Sequence, residues 1–187
     1  MRQMRPLMHL NSRICLMNSN TNTWKMDDQM DKDEFSRRVL EAESSLYRVA
    51  KTILCRDEDC ADAIQNGILH AFQKIDTLRD VRYFKTWLTR IVINECYQIL
   101  RQEQRQIVNN GYEQTAGQEM YTIEDESIVL QEFRRLPEQY RIPIELHDIE
   151  GYSVKEIGEM LSLTETNVRN RIFRGKKRLR KILEGVI

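Results

Sequence analysis

The chain has 187 residues, enough for one ordinary domain or two small ones, and only 7 glycines and 3 prolines, where average usage would give about 13 and 9. So few turn-formers exclude sandwiches, barrels and collagen-like repeats and point to an all-α protein. Lys plus Arg (29) cancels Asp plus Glu (29), so charge is partitioned along the chain, and no stretch approaches the roughly 20 apolar residues of a bilayer span, which excludes an integral membrane protein.

Residues 1–25 carry neither helical nor strand periodicity, and Arg13 with its polar neighbours interrupts any secretory apolar run. Residues 1–29 are expected to be an unstructured extension, or the product of a translation start placed too far upstream of Met26-Asp27-Asp28, on a cytoplasmic chain. From Phe35, the positions Val39, Leu46, Val49, Ala50 and Ile53 continue one helix face. A second stripe is unbroken through Cys60, Ala63, Ile64, Gly67, Ile68, Ala71, Phe72 and Ile75, with Asp57 or Asp59 as its expected cap. A third runs through Phe84, Trp87, Leu88, Ile91, Val92, Cys96, Ile99 and Leu100. Three such helices predict a bundle over 30–105. Cys15, Cys55, Cys60 and Cys96 form no C-x-x-C pair, and His9, His70 and His147 are the only histidines to supplement them. Buried reduced thiols are expected, with Cys55 and Cys60 as a redox or metal pair the alternative. No cofactor and no metal are expected.

From Gln106 the texture turns to Gln, Asn, Gly, Thr and Glu, ending in the acidic Glu124-Asp125-Glu126. This predicts a linker over 106–124 and a second domain over 125–187. Ile128, Leu130, Phe133 and Leu136 restart the helical pattern. Pro137 suits a first helical turn, whereas Pro143 would remove a helix hydrogen bond, so the helix there either kinks or begins later. Ser153 and Glu156 have capping-box spacing ahead of Val154, Ile157, Met160 and Leu161, and Ser162 with Glu165 repeats it ahead of Val168, Ile172, Gly175, Leu179 and Ile182. Two capped helices joined by a short turn make a helix-turn-helix or an ordinary helical hairpin.

Charge favours the helix-turn-helix, with a solvated basic face the alternative. Between Asn167 and Lys181 stand Arg169, Arg171, Arg174, Lys176, Lys177, Arg178, Arg180 and Lys181 with no acidic residue. A cationic outer face attracts duplex DNA through counterion release, and Phe173, off the apolar stripe, could meet a thymine methyl. Around the third helix, Tyr83, Phe84, Trp87 and Tyr97 interleave with Arg82, Lys85, Arg90, Arg101 and Arg105, and aromatic platforms beside cations suit unpaired bases. One end suited to duplex and another to single strand suggests a protein that opens DNA.

The motifs, in this order and spacing, resemble those of the extracytoplasmic-function (group IV) sigma factors of bacterial RNA polymerase. Ala61-Asp62-Ala63-Ile64-Gln65 is similar to that family's acidic D-x-x-Q helix, and Phe84-Lys85-Thr86-Trp87-Leu88-Thr89-Arg90-Ile91 followed by Asn94 to its F-x-T-W-L-x-R-I…N signature. Leu136-Pro137-Glu138, Gly151-Tyr152-Ser153 with Glu156-Ile157, and Val168-Arg169-Asn170-Arg171 with Arg174 are similar to its second-domain patterns. The resemblance implies a region 2 bundle and a region 4 helix-turn-helix joined by a flexible linker, with no catalysis and a role in stress-responsive transcription. It implies that Asp62, Gln65 and Asn66, the last in place of the usual acid, dock the clamp helices of the largest polymerase subunit, while region 4 meets the polymerase flap. It implies that Asp80, Val81, Arg82 and Tyr83 capture a flipped minus-ten base, beside Lys85, Trp87, Arg90 and Asn94. It further implies that Arg169, Asn170, Phe173 and Arg174 read the minus-thirty-five element, with Arg171 and Lys177 on phosphates, and that an anti-sigma factor, often membrane-anchored, restrains the protein. Ser162 replaces the turn glycine common in the family.

The alternatives predict different behaviour. A stand-alone helix-turn-helix repressor would bind duplex without polymerase and needs a self-complementary dimer face. A response regulator needs alternating strands and helices before the motif. A helical adaptor would bind protein alone.

Overall fold

The computed structural model describes residues 30–110 and 128–184. The expected extension over 1–29 and most of the expected linker lie outside the described residues. Within them lie seven α-helices, three in the first stretch and four in the second. Helix α1 (Lys32–Ile53) starts where the Asp31 carboxylate accepts the Glu34 amide at 2.7 Å. Its face of Phe35, Ala42, Leu46, Val49, Ala50 and Ile53 is buried.

Helix α2 (Asp57–Gln73) differs from expectation at its start: Arg56, without a side-chain bond to the helix, is the capping position, and Asp57, Glu58 and Asp59 fill the first turn. Three carboxylates there complement the positive end of the helix dipole, which substitutes for a cap. The Arg56 guanidinium holds Asp59 at 2.6 Å. Helix α3 (Phe84–Asn110) runs past Gln106 into the expected linker. Arg101 to Gln106, all Arg, Gln or Glu, are strong helix formers, and a helix established through them carries on for one more turn without an apolar stripe. Gly67 allows α2 to lie close on α3, since a Cβ there would stand 2.7 Å from Val92 Cγ2. Phe35 meets the rings of Phe72 and Phe84 edge-on at 5.4 and 5.5 Å, closing the bottom of this bundle. Cys60 and Cys96 are buried in it, with thiols pushed up to about 11 and about 12 by burial, while Cys55 is exposed.

The second unit begins with α4 (Ile128–Arg135), in which Phe133 is buried but Ile128 and Leu130 are exposed. In this two-turn helix only the last turn, followed by buried Leu136, reaches the core. Helix α5 (Glu138–Ile144) starts after Pro137 and passes through Pro143 into a π-helical turn, Glu145–Ile149, whose Glu150 amide reaches the Glu145 carbonyl at 3.0 Å. The helix therefore does not start late; the ladder gives up one bond at Pro143 and then widens into the π turn.

Helix α6 (Val154–Leu161) has the predicted capping box, with the Glu156 amide 3.3 Å from Ser153 Oγ and the Ser153 amide 2.9 Å from the Glu156 carboxylate. The second predicted cap is corrected. Ser162 ends α6 in the left-handed region (φ 56°), and Thr164 caps α7 (Glu165–Glu184), accepting the Asn167 amide at 3.3 Å. Ser162 thus takes up the backbone shape that glycine usually supplies.

The two units do not stand apart. Helix α1 packs on α5 and the π turn, and α3 packs on α6. Buried Arg141 donates from Nε to the Thr52 carbonyl at the end of α1 (3.0 Å) and from Nη1 to the Arg134 and Leu136 carbonyls (2.5 and 3.2 Å). One guanidinium thereby satisfies carbonyls of both units at a negative helix end.

Candidate nucleic-acid interface

The turn between α6 and α7 aims the basic helix. The Leu163 amide bonds back to the Gly158 carbonyl at 2.8 Å, and a Cβ on Gly158 would lie 2.7 Å from the Leu163 carbonyl oxygen. Only glycine permits that approach. Val168, Ile172 and Gly175 bury one side of α7 against α5 and α6; a Cβ at Gly175 would meet Ile144 Cδ1 at 2.6 Å and Tyr140 Cβ at 2.9 Å.

With that side fixed, helical spacing brings Arg169, Asn170, Phe173, Arg174 and Lys177 together on the outer face, all exposed, Phe173 by 68%. An apolar ring that open beside cations is spare for packing and suited to a base edge. Arg171 does not join them: it is half-buried on the flank of α7, near enough to Tyr97 of α3 that its charge opposes the upward push of burial and Glu138 on that phenol. Three charges of the helix are engaged within the chain, Arg169 with Glu165 (2.8 Å), Lys176 with Asp148 (2.8 Å), and Arg178 over the Tyr140 ring (4.9 Å). The exposed Arg169 pair is weak enough to exchange for DNA.

In the first unit, Asp80 organises the short turn before α3. Its carboxylate accepts the Arg82 amide at 2.9 Å and holds the Arg82 guanidinium at 2.7 Å, and those bonds keep the Asp80 carboxyl below its usual range. Arg38 of α1 reaches the Val81 carbonyl at 3.3 Å from the other side. The turn is a preformed loop that leaves Tyr83 56% exposed. Along α3, Trp87, Arg90 and Asn94 follow the three-and-four spacing of one face. Arg90 and Asn94 are exposed, while Trp87 is half-buried and its ring lies 6.0 Å from that of buried Phe84. Phe84 is core, and Trp87 is both packing and surface.

Lys85 is separated from that group. It turns toward the second unit, with Nζ 3.2 Å from Glu150 and 5.2 Å above the Tyr152 ring. Glu150 also accepts from Ser45 Oγ and from Arg48 Nε at 2.7 Å, and its side chain is only 1% exposed. Burial alone would raise the Glu150 carboxyl; the bonds from Ser45, Arg48 and Lys85 outweigh it and hold the group below its ordinary value. Thr86 Oγ1 donates to Glu156 at 2.7 Å, and Thr89 Oγ1 lies 2.8 Å from the Tyr152 hydroxyl.

On α2, Asp62, Gln65 and Asn66 are exposed together. Leu69, 51% exposed, extends the same face one turn further. Sequence reasoning missed it, although an apolar residue off the α2 stripe and three beyond Asn66 was the available signal.

Residues 39–106 match the family model described as Sigma-70 region 2, and residues 127–179 match Sigma-70, region 4. The ECF RNA polymerase sigma-E factor of Haemophilus influenzae is 27% identical over 175 residues, covering 85% of this chain and 92% of that protein. The ECF RNA polymerase sigma factor SigW of Bacillus subtilis is 28% identical over 172 residues, covering 83% and 92%. In fold, the chain is similar to the sigma factor RpoE solved with the anti-sigma factor NepR from Bartonella quintana (TM-score 0.68, 22% identity, 81% of this chain and 98% of that one). It is also similar to CnrH solved with the cytosolic domain of CnrY (TM-score 0.59, 21% identity, 83% and 90%).

Proposed function

The chain belongs to the extracytoplasmic-function family of sigma factors, which direct RNA polymerase to promoters and are not enzymes, and from that premise we propose how its residues divide the work. The outer face of α7 enters the major groove of the minus-thirty-five element. Arg169, Asn170, Phe173 and Arg174 meet base edges there, and Lys177 and Arg171 contact phosphates. The Asp80–Tyr83 turn takes an unstacked minus-ten base, and Lys85, Trp87, Arg90 and Asn94 bind the adjacent single strand. Asp62, Gln65 and Asn66, extended by Leu69, dock the clamp helices of the largest polymerase subunit, and region 4 meets the flap.

Unstacking a base costs a few kcal/mol, which a chain of zero net charge cannot supply by itself; polymerase holds both regions in register, so duplex contacts upstream offset melting downstream. An anti-sigma factor is the third partner, in keeping with the complexes in which RpoE and CnrH were solved.

The observation that carries this reading is the single exposed face shared by Arg169, Asn170, Phe173, Arg174 and Lys177 on a helix whose opposite side is core. Arg169→Ala and Arg174→Ala should each weaken promoter binding by about 1–3 kcal/mol and lower run-off transcription, with affinity for core polymerase unchanged. An equal loss of core affinity would remove α7 from the promoter. Tight binding of duplex by the chain alone would favour the repressor reading instead.

A further inference from the structure

Three thiols of region 2 lead from its surface into its core: Cys55 is exposed, while Cys60 on α2 and Cys96 on α3 are fully buried. Burial first pushes the Cys60 and Cys96 thiols up, and each has the next cysteine close enough to add to the push, Cys55 acting on Cys60 and Cys60 on Cys96. The start of α2 brings the outer two together. Arg56, the capping position, is extended (φ −86°, ψ 141°), so Cys55 precedes the cap and Cys60 is the fourth residue of the helix, positions whose side chains face each other in a hydrophobic staple. Here the staple pairs a thiol that solvent reaches with one that it does not. The Cys60 amide closes the first turn on the Arg56 carbonyl at 3.2 Å, and no side chain caps that turn, so it opens more readily than a capped one. Lys51 anchors the loop through the Cys55 carbonyl.

We propose that Cys55 and Cys60 are a peroxide-reactive pair that closes to a disulfide across the start of α2, and that the closed pair weakens docking of α2 on core polymerase. The Cys55 thiolate attacks one oxygen of a hydroperoxide; the O–O bond breaks, water or an alcohol leaves with a proton, and Cys55 becomes a sulfenic acid. As the first turn opens, the Cys60 sulfur attacks the Cys55 sulfur. The S–S bond forms, the S–O bond breaks, and the hydroxide leaves as water with the Cys60 proton. The two thiols lose two electrons, and the peroxide gains them. Exchange with a dithiol reductant restores both. The disulfide draws the two Cα atoms to about 4.4–6.8 Å and takes Cys60 out of the α2–α3 core, two residues before Asp62. The effect on polymerase rests on the reading of Asp62, Gln65 and Asn66 as the docking face, and the disulfide does not.

The disulfide is read by peptide mapping of the full chain carrying Cys15→Ser. Trypsin cuts after Lys51, Arg56 and Lys74, which leaves Cys55 in 52–56 and Cys60 in 57–74. The reduced chain, exposed to hydrogen peroxide, should lose two hydrogens per monomer and yield those two peptides joined through sulfur. With Cys60→Ala, the same treatment should leave a sulfenic acid at Cys55 that dimedone traps. With Cys55→Ser, an exposed and therefore mild change, Cys60 and Cys96 should remain free thiols. A bond between Cys60 and Cys96, a dimer linked through Cys55, or a sulfonic acid at Cys55 with Cys60 still free overturns the pair.

The effect on docking is read by titration of core polymerase with the reduced and the oxidised chain. Affinity should fall about five- to tenfold on oxidation and return with dithiothreitol, and Cys55→Ser should show no such fall. An unchanged affinity of the disulfide-bonded chain overturns the effect on docking. If Asp62→Ala with Gln65→Ala binds core polymerase as tightly as the unaltered reduced chain, the assignment of that face to the clamp helices falls, while peptide mapping decides the disulfide independently.

Discussion

Glu145 is a carboxylic acid placed where its charge is unwelcome. It is buried in the π turn beside α1, and burial first, then the neighbouring Glu150 charge, push it up to about 7, against a smaller opposing pull from Arg48 and Thr52. Because the folded chain holds this proton more tightly than the unfolded chain, the stability it brings is full below about pH 4.5 and is lost as pH rises through about 7. The protein should therefore lose about 1 kcal/mol between pH 6 and pH 8, and Glu145→Gln should flatten that slope in denaturant titrations at the two pH values. An unchanged slope would place the proton elsewhere. Periodicity in the sequence could not reveal this group, nor buried Thr89, Glu95 and Arg141, because a stripe analysis counts apolar residues and is blind to polar ones buried against a neighbouring helix.

At the scale of elements, the helix faces were legible and their ends less so. The stripes of α1, α2, α3 and α7 followed from spacing alone, as did the capping box of α6. The start of α2, the reach of α3 beyond Gln106 and the cap of α7 were not, since a helix end is decided by which of several adjacent polar residues meets the backbone. The turn into α7 depends on the contact between Gly158 and the Leu163 carbonyl. Gly158→Ala gains helix propensity but pushes on backbone, and should cost about 1–3 kcal/mol and weaken minus-thirty-five binding by tilting α7; Lys155→Ala, exposed on the same helix, should do neither. The Asp80–Tyr83 turn is independent of that motif. Exchanging Val81, Arg82 and Tyr83 for those of a relative should alter the preferred minus-ten sequence in promoter-library selection while leaving the minus-thirty-five preference intact.

For the whole molecule, Arg141 is one of the groups that tie one region to the other. Its neutral replacement Arg141→Met would leave the Thr52, Arg134 and Leu136 carbonyls short of a donor, at a cost of about 1–3 kcal/mol for each that stays dry. Calorimetry should then resolve two unfolding transitions where the unaltered chain shows one. A single transition in both would mean that the carbonyls find water and that the regions are coupled mainly by the contacts of α3 with α6.

Taken alone, the order of residues determined the helical class, the division into two regions, the family and the cationic face of α7, because each is written in spacing along one helix or in the succession of short motifs. Tertiary structure decided that Lys85 parts company with Trp87, Arg90 and Asn94, that Arg171 is half-buried while its basic neighbours on α7 are exposed, and that Glu150 and Tyr152 close on α1 and α3. Those outcomes depend on contacts between residues 63 to 105 positions apart, and no local periodicity carries the relative placement of two surfaces from distant parts of the chain.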